Sequence, residues 1–184
     1  MAQAVAHFLF SAFLAAIYRD RRIKDKNKKK FPLHYVLFAG LGGLLPDIDI
    51  ILFFFLYNFG ASFEEIHRTF THALIFPALL LLLSFAAIPL KNKTLGKHHI
   101  KIHNIFLALA FGSLTHIFLD AILIGENIML FYPLSDFATG LDLVRYLPEF
   151  LSYNFIPILD GILLLLWVVY LEWKHELMPF GQLR

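Results

Sequence analysis

The chain has 184 residues, 59% of them hydrophobic, and a mean hydropathy of +0.68. That is too apolar for a soluble domain and predicts one compact helical membrane unit, with residues 1–184 forming a single transmembrane domain. The formal charge of +2 excludes little, but the absence of cysteine excludes disulfides and thiolate metal sites, so a transition metal must be held by His and carboxylate.

Ala2 to Tyr18 reads as a first helix at the short end of membrane-spanning length, with His7 near its start. No basic residue precedes this apolar run, which argues against a secretory signal. The stretch Arg19 to Lys30 follows and holds eight of the sixteen basic residues. It reads as a solvated cytoplasmic loop beside anionic headgroups, rather than as a nucleic-acid site.

A second helix is predicted from about Leu33 to Phe59, interrupted by Leu44-Leu45-Pro46-Asp47-Ile48-Asp49. Pro46 removes a backbone donor and should kink the helix. Gly40, Gly42 and Gly43 just before it allow close approach of another element or a ligand. An ionised Asp in hydrocarbon costs at least about 3 kcal/mol, so Asp47 and Asp49 should face the bundle interior and carry function. The plainer alternative is that they cap a helix restarting after Pro46.

Ala61 to Thr71 is a polar connector with His67 and Arg68, and Ser62 with Glu65 fits a capping box for a short interfacial helix. A third helix is expected over His72 to Leu90 and a second basic loop over Lys91 to Lys101. His98, His99 and His103 read as solvated or interfacial. A fourth helix, His103 to Ile124, carries Gly112, Ser113, Thr115, His116 and Asp120. A long loop from Gly125 to Asn154 includes Tyr132-Pro133-Leu134-Ser135 and an amphipathic stretch, Leu141 to Phe150, suited to the membrane surface. A fifth helix runs from Phe155 to Glu172, with Asp160 near its start and Trp167, Tyr170 and Trp173 suited to an interfacial belt. The predicted fold is therefore all-α, a polytopic bundle of about five transmembrane helices plus short interfacial helices.

Loop one holds eight basic residues, loop three four and the tail two, whereas the other two loops hold only Arg68 and Arg145. The positive-inside rule then puts the N-terminus outside and the C-terminus in the cytoplasm of an inner or plasma membrane. Traced through that topology, His7, Asp47, Asp49, His67, His72, His116, Asp120 and Asp160 all fall in the outer half, as one polar pocket open to the extracytoplasmic side.

His116 and Asp120 are four residues apart and stack on one helical face, which suits two ligands of one metal or a plain hydrogen bond. His67 and His72 can both turn inward only if their helix starts near Thr71, and His7 alone is most simply a satisfied polar group. Together, four histidines and three aspartates at one depth point to a metal site. Imidazole and carboxylate without sulfur suit Zn²⁺, and also Mn²⁺ or Fe²⁺. A metal-bound water becomes a nucleophile near neutral pH. An Asp beyond the ligand count would be the general base. No Gly-x-Ser-x-Gly element is present for a covalent acyl-enzyme.

The motifs Leu45-Pro46-Asp47-Ile48-Asp49, His67-Arg68-Thr69-Phe70-Thr71-His72, Gly112-Ser113-Leu114-Thr115-His116 with Asp120, and Tyr132-Pro133-Leu134-Ser135 resemble the membrane-bound metal-dependent hydrolases of the YdjM or DUF457 type. His7, in its Ala-His-Phe context, looks like that family's first motif. The order His, Asp, His, His-x-x-x-Asp is also similar to zinc-dependent phospholipase C and P1 nuclease. That likeness implies His7, Asp47, His72, His116 and Asp120 as direct ligands, with Asp49 and His67 as further ligands or proton carriers. A second His-x-x-x-Glu pair is missing downstream, since His175-Glu176 is wrongly spaced, which implies one or two ions rather than three.

The expectation is a divalent-metal-dependent hydrolase acting on a phosphoester, such as a lipid headgroup, from the outer leaflet. Asp47 or Asp49 would take the proton of water, and His67 or Arg68 would meet phosphate charge. The alternatives are intramembrane metal or proton transport and a non-catalytic protein with a structural metal.

Overall fold

The computed structural model describes residues 4–22, 32–60, 62–63, 67, 69–90, 94–95, 100–123 and 128–173. The basic stretch 23–30, Glu65 of the expected capping box, Arg68, His98, His99 and the tail from 174 lie outside the described residues.

The described chain is mainly helical. Helix α1 spans Ala4–Arg22, α2 Leu33–Gly42, α3 Ile48–Leu56, α4 Ile75–Ala86, α5 Ile102–Leu123, α6 Glu149–Ser152 and α7 Phe155–Trp173. Two-residue strands, β1 Thr94–Leu95 and β2 Ile100–Lys101, pair antiparallel just before α5. Helices α5 and α7 lie within one residue of the expected fourth and fifth helices.

Among the described residues two helices, α5 and α7, are long and apolar enough to cross a membrane. The sequence reading expected about five. Helix α2 has ten residues and α4 twelve, so at 1.5 Å per residue they reach only about 15 and 18 Å, short of a hydrocarbon core of about 30 Å. The expected kink at Pro46 is a full interruption: residues 43–47 leave helical hydrogen bonding for turns before α3 restarts. The third helix also starts later than expected, at Ile75, which leaves His72 in the preceding turn. The expected amphipathic stretch from Leu141 resolves into a 3₁₀ turn at Leu143–Tyr146 and the four-residue α6.

Small residues set the packing. Ala12, Ala15 and Ala16 of α1 meet Val36 and Ala39 of α2 and Ala108 of α5 in the buried core. Backbones cross closely there, as in membrane bundles, where small residues rather than the hydrophobic effect bring helices together. At Gly112 a Cβ would run into the carbonyl oxygen of Ala39, and at Gly42 one would sit 2.8 Å from Leu109 Cα. The crossing holds the break after α2 against the middle of α5, where Ser113 Oγ donates to the Gly42 carbonyl at 3.0 Å. Helix α4 packs along α5, and Ser84 Oγ donates to the His103 carbonyl at 2.8 Å. Helix α7 leans on α1 through Trp167 and Tyr170, both against Phe13, and Tyr170 Oη donates to Asp20 at 2.8 Å. None of α7's residues is buried.

The loop after α5 folds back over the bundle end. Leu74 N–H donates to the Leu130 carbonyl and Leu141 N–H to that of Ala121, at 2.9 and 2.7 Å. Ile128, 1% exposed, is the loop's buried anchor.

Candidate metal centre

Four elements bring polar side chains to one point. His7 comes from the second turn of α1, and Asp47 and Asp49 from the break and the first turn of α3. His67 and His72 come from the segment before α4, and His116 and Asp120 from successive turns of α5. Among them, His72, His116 and His7 are 0–1% exposed, Asp49 and Asp120 2% and 4%.

Their donor atoms converge. The Nε2 atoms of His72 and His116 are 3.2 Å apart. Asp47 Oδ1 lies 3.6 Å from His72 Nε2 and 3.7 Å from His116 Nε2. Asp120 Oδ2 lies 3.8 and 3.6 Å from the same two nitrogens. A tetrahedron of Zn–N bonds has an edge of roughly 3.4 Å, so each of these separations is close to that of two donors sharing one ion. Within 4.8 Å of one another stand the donor atoms of His72, His116 and Asp120, those of His7, Asp47 and His116, and those of Asp47, His67 and His72.

The backbone and the outer ring of side chains fix which nitrogens point inward. His116 Nδ1 is 2.6 Å from the Gly43 carbonyl. A carbonyl only accepts, so Nδ1 carries the hydrogen and Nε2 keeps its lone pair. His72 Nδ1 faces Asp49 Oδ2 at 3.3 Å and Thr71 Oγ1 at 3.2 Å, while Thr71 Oγ1 donates to Asp49 Oδ2 at 2.7 Å. His72 therefore also donates at Nδ1 and turns Nε2 to the centre. Carboxylate or carbonyl behind each imidazole is the usual support of metal-binding histidines. His67 Nδ1 donates to Asp49 Oδ1 at 2.9 Å, so both oxygens of Asp49 are engaged.

Asp47 holds the N-cap position of α3, yet its side chain makes no capping hydrogen bond. Its Oδ1 is turned to the two histidines instead, which disposes of the plain capping role for this residue.

His7 stacks on His116 with ring centroids 3.7 Å apart. Its Nε2 is 3.1 Å from Asp120 Oδ1, but neither atom has a partner in hydrogen-bond geometry among the described residues, and nor does His7 Nδ1. Buried polar atoms left unpartnered are rare in proteins, and a cation beside them would satisfy those facing it. The two imidazole nitrogens facing at 3.2 Å need a proton or a cation between them. The donor set therefore fits a divalent metal.

His72 lies outside the helices. Burial favours its neutral ring, but hydrogen bonds to Asp47 and Asp49 outweigh that and push its pKa up to about 9.

Six of the expected site residues thus meet here: His7, Asp47, His67, His72, His116 and Asp120. Asp49 stands one shell outward, behind His67 and His72, and Arg68 is outside the described residues. Asp160 lies near Ala6 and His7, and its buried Oδ1 has no hydrogen-bond partner among the described residues. Sequence reasoning gave no role to Thr71 or to the Gly43 carbonyl. Thr71 stood within a quoted motif and could have been found; a carbonyl leaves no mark on a sequence.

Over residues 1–180 the chain matches the family model described as YdjM inner membrane protein. No curated protein and no solved structure matches it.

Proposed function

The chain belongs to the YdjM inner membrane protein family, and from that premise and the buried centre we propose a membrane-embedded, divalent-metal-dependent hydrolase of phosphoesters. The observation that carries the proposal is the convergence of Nε2 of His72, Nε2 of His116, Asp47 and Asp120 within 3.2–3.8 Å. No match supports the likeness to zinc-dependent phospholipase C and P1 nuclease, which rests on the order of the ligand motifs.

His7, Asp47, His72, His116 and Asp120 would hold one or two ions, Zn²⁺ first, Mn²⁺ or Fe²⁺ as alternatives. When bound, the metal lowers the pKa of a coordinated water and polarises the phosphoryl oxygen. The protein's own groups do the rest. In hydrolysis a water oxygen bonds to phosphorus while the ester P–O bond breaks. Asp47 takes the water's proton at Oδ2, because Oδ1 is turned to the histidines. His67, oriented through Nδ1 by Asp49, passes a proton from Nε2 to the leaving oxygen. Arg68, adjacent in sequence, meets the phosphate charge with its planar fork of donors. Burial of the histidines excludes bulk water and strengthens each of these interactions.

On this reading 1–184 is one membrane domain with about five crossings, α4 being carried across by the turns that flank it at residues 71–74 and 87–90. Helices α2 and α3 cross as one broken element, whose irregular backbone is tolerated because it lines a polar interior. The N-terminus is outside and the C-terminus cytoplasmic, so the centre faces the outer leaflet and meets lipid headgroups.

The test is purified protein reconstituted with Zn²⁺ or Mn²⁺ and phospholipids labelled in the headgroup. Water-soluble label should appear and vanish in His116→Ala. Metal flux into liposomes with no product would favour transport instead, and neither outcome would leave a structural metal.

A further inference from the structure

A groove of about 440 Å³ lies at the helix break, with Asp47 among its lining residues. Phe38 and Leu41 are three apart on one side of α2, and Leu45 lines the groove from the turn that follows. Ile48 and Ile51 continue the wall along α3, and Leu109 of α5 closes it. Among the described residues that line it, Asp47 is the only polar one. Asp47 is also the most open of the centre's groups that form ion pairs: its side chain is 22% exposed, against 0% for His72 and His116 and 6% for Asp120.

We propose that this groove takes an acyl chain, and that the substrate is a bilayer lipid entering sideways with its phosphate brought to Asp47. On the proposed topology the groove lies among apolar stretches that face hydrocarbon. Leu41, Ile48 and Ile51 are 40%, 51% and 57% exposed, so the furrow opens to that medium. A free phosphoester in it would lose its hydration and find no donor along the apolar walls, a cost of several kcal/mol. An acyl chain loses nothing there and gains contact with shaped walls. The substrate assignment rests on the phosphoesterase reading, but the occupancy of the groove does not.

The test uses full-length, zinc-loaded protein in detergent micelles with phosphatidic acid carrying a diazirine on one acyl chain. After irradiation, label should concentrate on the segment from Phe38 to Ile51 and on Leu109. It should be lost from them in Leu41→Trp, which narrows the groove at an exposed position, with bound zinc unchanged. Ile48→Trp, also exposed, is the second variant should the first not fold. Label spread evenly over the lipid-facing side of α7, or unchanged in a folded variant, overturns the proposal. Label in the groove without turnover of any phosphoester would uphold the groove and defeat the hydrolase. Turnover of phosphatidic acid with evenly spread label would do the reverse.

Discussion

His72 precedes α4 and His116 lies on α5, 44 residues away, yet their Nε2 atoms face each other at 3.2 Å with Nδ1 of each held from behind. Two neutral lone pairs at that distance repel. The arrangement is stable only with a proton or a cation between them, and this sets the first prediction.

Zinc affinity should depend on pH through His72. The hydrogen bonds to Asp47 and Asp49 push its pKa up to about 9 despite burial. A raised pKa stabilises chelator-treated protein fully below about 6.5, and that contribution is lost as pH rises through about 9. Zinc must displace the proton, so zinc Kd should weaken about tenfold for each pH unit below 9. The thermal midpoint should therefore fall between pH 6.5 and 9 in chelator and rise with zinc. A pH-independent Kd would show that His72 carries no displaceable proton.

Asp49 and Thr71 should act on the metal without contacting it. Asp49→Asn and Thr71→Val leave the inner donors in place but loosen His72 and His67. Outer-ring losses of this kind weaken metal binding about 10- to 100-fold. Competition with a zinc chelator measures this, and an unchanged Kd in both variants would limit them to packing.

Gly112→Ala should destabilise the fold more than any exposed Gly→Ala change. The added methyl meets the Ala39 carbonyl and the Gly43 amide, backbone that cannot move aside. Overpacking of this kind costs about 1–3 kcal/mol. Gly161→Ala, which meets nothing within 4 Å, is the matched control in a thermal unfolding assay in detergent.

Membrane orientation can be read by single cysteines, since the chain has none of its own. Ser152→Cys should react with an impermeant maleimide in intact cells, and Thr94→Cys only after permeabilisation. The opposite pattern would turn the centre toward the cytoplasm.

Much of the site was legible because metal ligands are chemically conspicuous in an apolar chain. Asp47, Asp49, His116 and Asp120 stand out against runs of Leu, Phe and Ala, and the four-residue step from His116 to Asp120 gives a shared face. Element boundaries were less legible. The run from Val36 to Phe59 is hydrophobic on both sides of Pro46, so hydropathy cannot tell a kink from a five-residue interruption. His72 sits in a turn because Thr71 and His72 bond Asp49 rather than begin a helix, a long-range fact no local pattern carries. The division of labour between Asp47 and Asp49 was equally hidden. Two residues apart, they diverge only because one sits at the break and the other on the first turn of α3.

The most direct measurement is elemental analysis of the purified chain beside His116→Ala and Asp120→Ala. The wild-type chain should carry one or two zinc, manganese or iron ions, and each variant should lose at least one while remaining folded. A wild-type chain that takes up none of these metals when they are supplied, or variants that keep the full count, would contradict a shared metal centre.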